Sequence, residues 1–319
     1  MAFRTKLNIA KEKKTIDYNS NIVLFGSCFT KNMEKHLSYY KFQNDSNPYG
    51  IIFNPKAIEK AVTECIENKE YNQHDLYYHQ EYWLSLNHHT KFSSLILGKV
   101  LTQINSEIKE AHHALLNASH VFITLGTSWV YRFIDTENLV ANCHKIPQNK
   151  FKKELLSIDE IKESLNNIIS LIKQFNPKAV ILFTLSPVRH VRDGFIENTQ
   201  SKAHLHTAIQ QIIDQKNTFY FPSYEIMMDD LRDYRFYKDD LLHPNETAME
   251  YIWEIFKKSW INEKAYPLMK KIENIQKSLD HKPFQKDSLK HKEFIHNLNK
   301  KIEAVEIKHP RINFNKKRK

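Results

Sequence analysis

The sequence predicts an α/β protein, a three-layer α/β/α sandwich around a mostly parallel sheet with a helical extension at its carboxyl end. Two observations carry this. Short runs that are apolar at nearly every position alternate with helical stretches, as in strands buried on both faces. Glycine or proline then closes most of these runs, which marks strand-to-loop turns.

The first strand is read over Asn21–Gly26, NIVLFG. Thr30 is the candidate N-cap of the next element, and KNMEKHLSYY reads as a helix. The loop at Asn47-Pro48-Tyr49-Gly50 leads into a short strand over 51–53, and Pro55 opens a helix to about Glu67. Residues 68–98 are aromatic and irregular, including Tyr77, Tyr78, Trp83, His88 and His89, and a helix is read over about 100–117. Residues 55–118 are therefore expected as a mainly helical and irregular insertion.

Further strands are read at 120–126 (HVFITLG), 178–185 (KAVILFTL, stopped by Ser186-Pro187) and 218–221. Between them, 157–175 has apolar residues at Ile158, Ile161, Leu165, Ile168, Ile169 and Ile172, a helical stripe. Helices are also read over 201–215 and 244–260, with Pro244 in the first turn of the latter. The expected division is residues 1–262 as one α/β domain and 263–319 as a basic helical tail, frayed over 314–319.

Composition limits the partners. The net charge is +10, yet residues 264–319 carry 16 Lys and Arg against 6 Asp and Glu, while the rest carries 31 of each. Basicity thus belongs to the tail, and no nucleic-acid partner is expected for the body. No run approaches the roughly 20 apolar residues of a membrane helix, and the first residues lack the apolar core of a signal peptide. Three scattered cysteines, at 28, 65 and 143, argue against a disulfide framework and for a reducing compartment, so the expected location is the cytoplasm. No zinc spacing and no glycine-rich phosphate loop occur, so no metal and no cofactor is expected. Glycine is scarce, five residues against an average usage of about 7%. Retained glycines therefore point to special backbone geometry or close approach.

Two motifs carry chemistry. Ser27 follows an apolar strand and Gly26 and precedes a helix, a turn that projects a side chain at the carboxyl end of a parallel sheet. The helix N-terminus supplies N–H groups suited to an oxyanion. Serine at this place also serves simply as a helix cap. Asp240-Leu241-Leu242-His243 brings a carboxylate three residues before a histidine, which suits a base and its orienting partner. An acidic loop with a helix-start histidine has the same appearance. Cys28 is a second potential nucleophile, since a helix N-terminus lowers a thiol pKa, or a small side chain packed against the helix.

Taken in order, the blocks Gly26-Ser27-Cys28-Phe29-Thr30, Asn47-Pro48-Tyr49-Gly50, Thr124-Leu125-Gly126-Thr127-Ser128-Trp129, Val140-Ala141-Asn142-Cys143-His144 and Ser186-Pro187-Val188-Arg189-His190 resemble the GSCFA family over residues 3–262. That family in turn is similar to the SGNH (GDSL-like) hydrolases. The resemblance implies the flavodoxin-like fold of those enzymes, with Ser27 as nucleophile, His243 as base and Asp240 as its orienter. It implies an oxyanion hole of the Ser27 and Gly50 N–H groups and a side chain from the Gly126 block. Here the sequence departs from the pattern: the usual Gly-x-Asn reads Gly126-Thr127-Ser128, so Ser128, Thr127 or Asn142 must stand in. His144, Arg189 and His190 follow apolar strands or lie in the loops behind them, placed for substrate contact or for structural hydrogen bonds. The implied activity is hydrolysis of a small acyl ester, such as an O-acetyl group, on a carbohydrate-like substrate. Acyl transfer, or a non-catalytic binding module on the same fold, stands as the alternative.

Overall fold

The computed structural model describes residues 4–285 and 287–314. In chain order the strands are β1 Asn21–Gly26, β2 Gln43–Ser46, β3 Tyr77–His79, β4 Tyr82–Leu84, β5 His120–Leu125, β6 Trp129–Phe133, β7 Asn138–Val140, β8 Phe151–Leu155, β9 Val180–Leu185 and β10 Thr218–Phe221. The helices are α1 Cys28–Tyr39, α2 Pro55–Ile66, α3 Leu97–Leu116, α4 Ile158–Phe175, α5 Phe195–Ile212, the single turn α6 Ser223–Glu225, α7 Glu246–Trp260, α8 Tyr266–Leu279 and α9 Leu289–Lys308.

Five strands form one sheet in the order β10-β9-β5-β1-β2, every neighbouring pair parallel. Alternation along the central strands divides the core in two. Ile22 and Leu24 of β1 pack with Phe29, Met33 and Leu37 of α1 and with Trp253 and Phe256 of α7. Val23 and Phe25 face the opposite layer, where α2, α3, α4 and α5 contribute Ile58, Ile104, Leu165 and Leu205. The three-layer arrangement and its parallel sheet are as the apolar runs predict.

Several elements differ from the expectation. The helix after β1 starts at Cys28, and its cap is Ser27, not Thr30. No strand forms at 51–53. The edge strand is instead β2, whose QNDS carries no apolar signal because an edge strand needs only backbone pairing on one side. Residues 68–98 contain the hairpin β3-β4. A separate antiparallel sheet, β7-β6-β8, fills 129–155, with Phe133, Val140 and Phe151 in a small core of their own. Helix α5 begins at Phe195, six residues ahead of the predicted start, and α7 is capped by Asn245 after Pro244.

The tail is helical, as expected. Ile272 and Ile275 of α8 pack with Leu298 and Val305 of α9. It docks on the sheet edge: Gln276 Nε2 donates to the Tyr39 carbonyl at 2.9 Å, Gln43 Nε2 of β2 donates to the Arg311 carbonyl at 2.6 Å, and Arg311 bonds Asn19 and Asn21. Phe314 is not frayed, since its N–H donates to Glu306 at 2.7 Å and Lys41 lies over its ring. The rest of the predicted frayed end, residues 315–319, lies outside the described residues. No described helix is long and apolar enough to cross a membrane.

Gly26 closes β1 with φ +141°, and a Cβ there would lie 2.3 Å from the Thr124 carbonyl oxygen on β5. Gly26→Ala is therefore expected to lower stability by about 2–4 kcal/mol, from positive-φ strain and backbone overlap together. Urea unfolding midpoints of the two proteins test this, and a change below about 0.5 kcal/mol would contradict the close approach.

Candidate active site

The turn from β1 into α1 is held from three sides. Asn47 Oδ1 accepts the Gly26 N–H at 2.8 Å, and Asn47 N–H donates to the Leu24 carbonyl at 2.8 Å. Ser27 N–H donates to the Thr124 carbonyl at 3.3 Å. Ser27 has extended backbone geometry, and its Oγ accepts the Phe29 N–H at 3.2 Å, so the hydroxyl is an N-cap in this conformation. The residue is fully buried. Beside it, burial pushes the Cys28 thiol up, against the opposing pull of backbone N–H groups and Lys202. A thiol so shifted stays protonated near neutral pH, which disfavours Cys28 as a nucleophile.

Downstream, the loop from Tyr237 to Pro244 closes on itself, with Lys238 N–H donating to the His243 carbonyl at 2.8 Å. Leu241 sits at φ 56°, a left-handed conformation rarely taken by a branched side chain. That turn lets Asp240 Oδ1 accept two N–H groups, from Leu242 and His243, each at 2.9 Å. Oδ2 meets His243 Nδ1 at 2.6 Å. The N–H groups of His243 and Leu242, with the imidazole, hold the Asp240 carboxyl down at about 2. It is thus an anion throughout the neutral range, so Nδ1 carries the proton and Nε2 is the free basic nitrogen. The structure brings Asp240 and His243 together. It does not hydrogen-bond His243 to Ser27, whose hydroxyl is engaged by Phe29.

The candidate oxyanion donors are committed elsewhere. Gly50, at φ +75°, donates its N–H to the Asn47 carbonyl at 2.7 Å. Gly126 N–H donates to the Phe53 carbonyl at 2.7 Å. Ser128 turns to α5, donating its N–H to Ser201 Oγ at 2.8 Å and its hydroxyl to the Ser201 carbonyl at 3.2 Å. Asn142 Oδ1 accepts the His144 N–H at 2.8 Å, and its Nδ2 reaches Thr90 at 3.4 Å. His144 Nε2 lies 2.9 Å from the Ser85 carbonyl, so Asn142 and His144 belong to one network with the segment 85–90.

Arg189 and His190 follow β9. His190 stacks on Phe53 with centroids 5.0 Å apart, and its Nε2 lies against Gly126, where a Cβ would approach to 3.0 Å. Burial first, then the nearby Lys202 and His243, drive the His190 pKa down to about 3, so this imidazole is neutral. Arg189 reaches the Leu241 carbonyl at 3.4 Å and lies over the Tyr237 ring, which ties the end of β9 to the Asp240–His243 loop.

Lys202 is the residue that sequence reasoning missed. It lies on α5, almost fully buried, with Nζ donating to the Ser186 carbonyl at 2.7 Å. The signal was present: Asn198, Lys202, Leu205 and Ile209 share the buried stripe of α5, where a lysine is out of place. Burial lowers its pKa to about 7, with Cys28 opposing. Open clefts of about 730 and 590 Å³ lie along α3 and between α2 and β7, away from Ser27. Ser27 is fully buried, so its hydroxyl is reached from solvent only when a side chain or loop moves. Among the described residues no group of three or more His, Cys, Asp or Glu could hold a metal ion.

Together these features describe an α/β/α protein with a serine at the end of its first parallel strand and an Asp-His pair on a loop before its last sandwich helix. The chain belongs to the GSCFA family, whose model matches residues 21–256. The tail, which lay outside the sequence resemblance, also matches: residues 272–319 fit the model described as GSCFA domain protein, C-terminal domain. No curated protein matches the chain. Among solved structures, a carbohydrate esterase family 3 from Talaromyces cellulolyticus is similar at 9% identity and a TM-score of 0.37, over 79% of this chain and 98% of that one.

The Lys202 shift has a defined sign. Between about pH 7 and 10.5 the unfolded chain binds a proton that the folded chain has released, so stability rises with pH across that window. Lys202→Met lacks this dependence. Its stability relative to the native protein is expected to be greatest below pH 7 and to fall by on the order of 4 kcal/mol towards pH 10, read from denaturant unfolding at each pH. A pH-independent difference would mean that the ammonium is not desolvated.

Proposed function

We propose that the protein is a serine hydrolase of SGNH type that removes a small acyl group, such as O-acetyl, from a carbohydrate-like substrate. The observation that carries this reading is the 2.6 Å contact between Asp240 Oδ2 and His243 Nδ1, with Nε2 left free as a base. Two further features support it. Ser27 lies where a parallel strand ends and a helix begins, and the strand order, 2-1-3-4-5 among the parallel strands, is that of doubly wound sheets that bind ligands beside the first strand's carboxyl end. The residue types and their order also resemble those of the SGNH hydrolases, many of which act on acetylated carbohydrates.

In this mechanism Ser27 leaves its capping bond and gives its proton to His243 Nε2 as its oxygen attacks the ester carbonyl. The Asp240 carboxylate stabilises the imidazolium. The Phe29 N–H released by Ser27, with neighbouring N–H groups of the first turn of α1, faces the developing oxyanion. His243 then protonates the leaving alcohol, and an acyl group remains on Ser27. Water, deprotonated by His243, attacks the acyl carbon, and as the bond to Ser27 breaks His243 returns the proton to the Ser27 oxygen, releasing the carboxylic acid. Catalytic contacts that are open in a free enzyme commonly close in the Michaelis complex.

One observation favours a second reading, a binding module on the same fold. The Gly50, Gly126 and Ser128 donors are all engaged within the protein. Turnover of p-nitrophenyl acetate and of acetylated xylan separates the two. Ser27→Ala and His243→Ala are each expected to lower kcat by at least about a thousandfold, and Asp240→Asn by a hundredfold or more. A fluorophosphonate should label Ser27 in the native protein. Equal rates in native protein and both alanine variants, with no labelling, would remove the hydrolase and leave the binding module.

A further inference from the structure

Two cations near the candidate site have no carboxylate partner among the described residues. Arg189 lies with its guanidinium carbon 5.5 Å from the Tyr237 ring centroid. Its one hydrogen bond to the protein is the long contact to the Leu241 carbonyl, and its Nε is buried without a partner among the described residues. Lys202 Nζ stands 5.5 Å from the Tyr224 ring and gives a single N–H to the Ser186 carbonyl.

Three of the acids nearby are engaged within the protein. Asp240 holds His243. Asp193 pairs with Lys153 at 2.5 Å. Glu225 accepts the Tyr220 hydroxyl at 2.8 Å and pairs with His206 at 3.0 Å. The Arg189 Nε–H, shielded from water and unpaired among the described residues, is costly until an acceptor binds it. A guanidinium with most of its fork unused fits the paired oxygens of a carboxylate, or those of a sulfate or phosphate.

We propose that Arg189 binds an anionic group on the alcohol part of the substrate, so that the substrate is an O-acylated acidic sugar. The assignment to the alcohol part rests on the hydrolase reading above. Arg189 touches the loop that carries His243, and His243 is the group that protonates the leaving alcohol. A uronate carboxylate and a sugar sulfate share the required chemistry.

Calorimetric titration of the full-length protein with oligogalacturonate, a sulfated galactan oligomer and neutral xylo-oligomers tests this. One acidic ligand is expected to bind at least about tenfold more tightly than the neutral one, and which of them does so identifies the anion. Arg189→Gln should remove that preference, and Arg189→Lys, which keeps the charge but loses the fork, should retain part of it. The ratio of kcat/KM for acetylated galacturonate to that for acetylated xylo-oligomers should fall in parallel. Melting curves verify that each variant is folded, and the lysine variant serves if the glutamine one is not. Equal binding of all three ligands, or a preference that survives Arg189→Gln, would overturn the proposal. Ser27-dependent turnover without acid preference removes the anion site and leaves the hydrolase. Acid preference without Ser27-dependent turnover does the reverse.

Discussion

The contact on which the site depends is the approach of the end of β1 to β5. Gly26 takes a positive φ and lies so close to the Thr124 carbonyl that no side chain fits between them. Ser27 N–H then bonds that same carbonyl, and the chain turns directly into α1. The register of two parallel strands therefore sets where the hydroxyl and the first N–H groups of the helix stand. Asn47 braces this turn from the loop after β2, bonding both Gly26 and Leu24, so that loop is tied to the turn from β1 into α1.

Around that turn the protein assembles groups whose charges differ sharply. The Asp240 carboxyl is kept ionised by two backbone N–H groups, a local device made possible by the left-handed Leu241. The His190 imidazole is kept neutral by burial and by the cation and imidazole near it. Lys202 is buried with no carboxylate partner among the described residues, and burial lowers its pKa to about 7. Opposite demands placed on neighbouring titratable groups are a recurrent mark of sites that handle protons or charged ligands.

The C-terminal helices solve a different problem. β2 is short, polar and at the edge of the sheet, a place where unpaired backbone invites association. The α8-α9 pair has its own apolar core and reaches this edge through Gln43 and Arg311, while Gln276 bonds the end of α1. Its lysine-rich composition follows from a helix pair that buries only one stripe and leaves the remainder in water.

The central strands and amphipathic helices were legible in the sequence because burial on both faces, or along one stripe, leaves a periodic apolar record. The Asp240–His243 contact was equally legible, since three residues on one loop suffice to form it. β2 and the antiparallel sheet of 129–155 left no such record, because edge pairing and half-exposed strands are held by backbone hydrogen bonds that any side chain permits. Lys202 escaped notice because its meaning lies in what surrounds it: one lysine on a helix is ordinary until tertiary packing removes its water. By itself the sequence determined the layers and the local motifs, whose physics is contained within a few consecutive residues. Which donors are free, which cations are unpaired and whether Ser27 meets His243 were decided only in three dimensions, because folding sets which groups compete for each hydrogen bond, as where Ser128 meets Ser201 and Arg189 meets Leu241, both more than fifty residues apart in sequence.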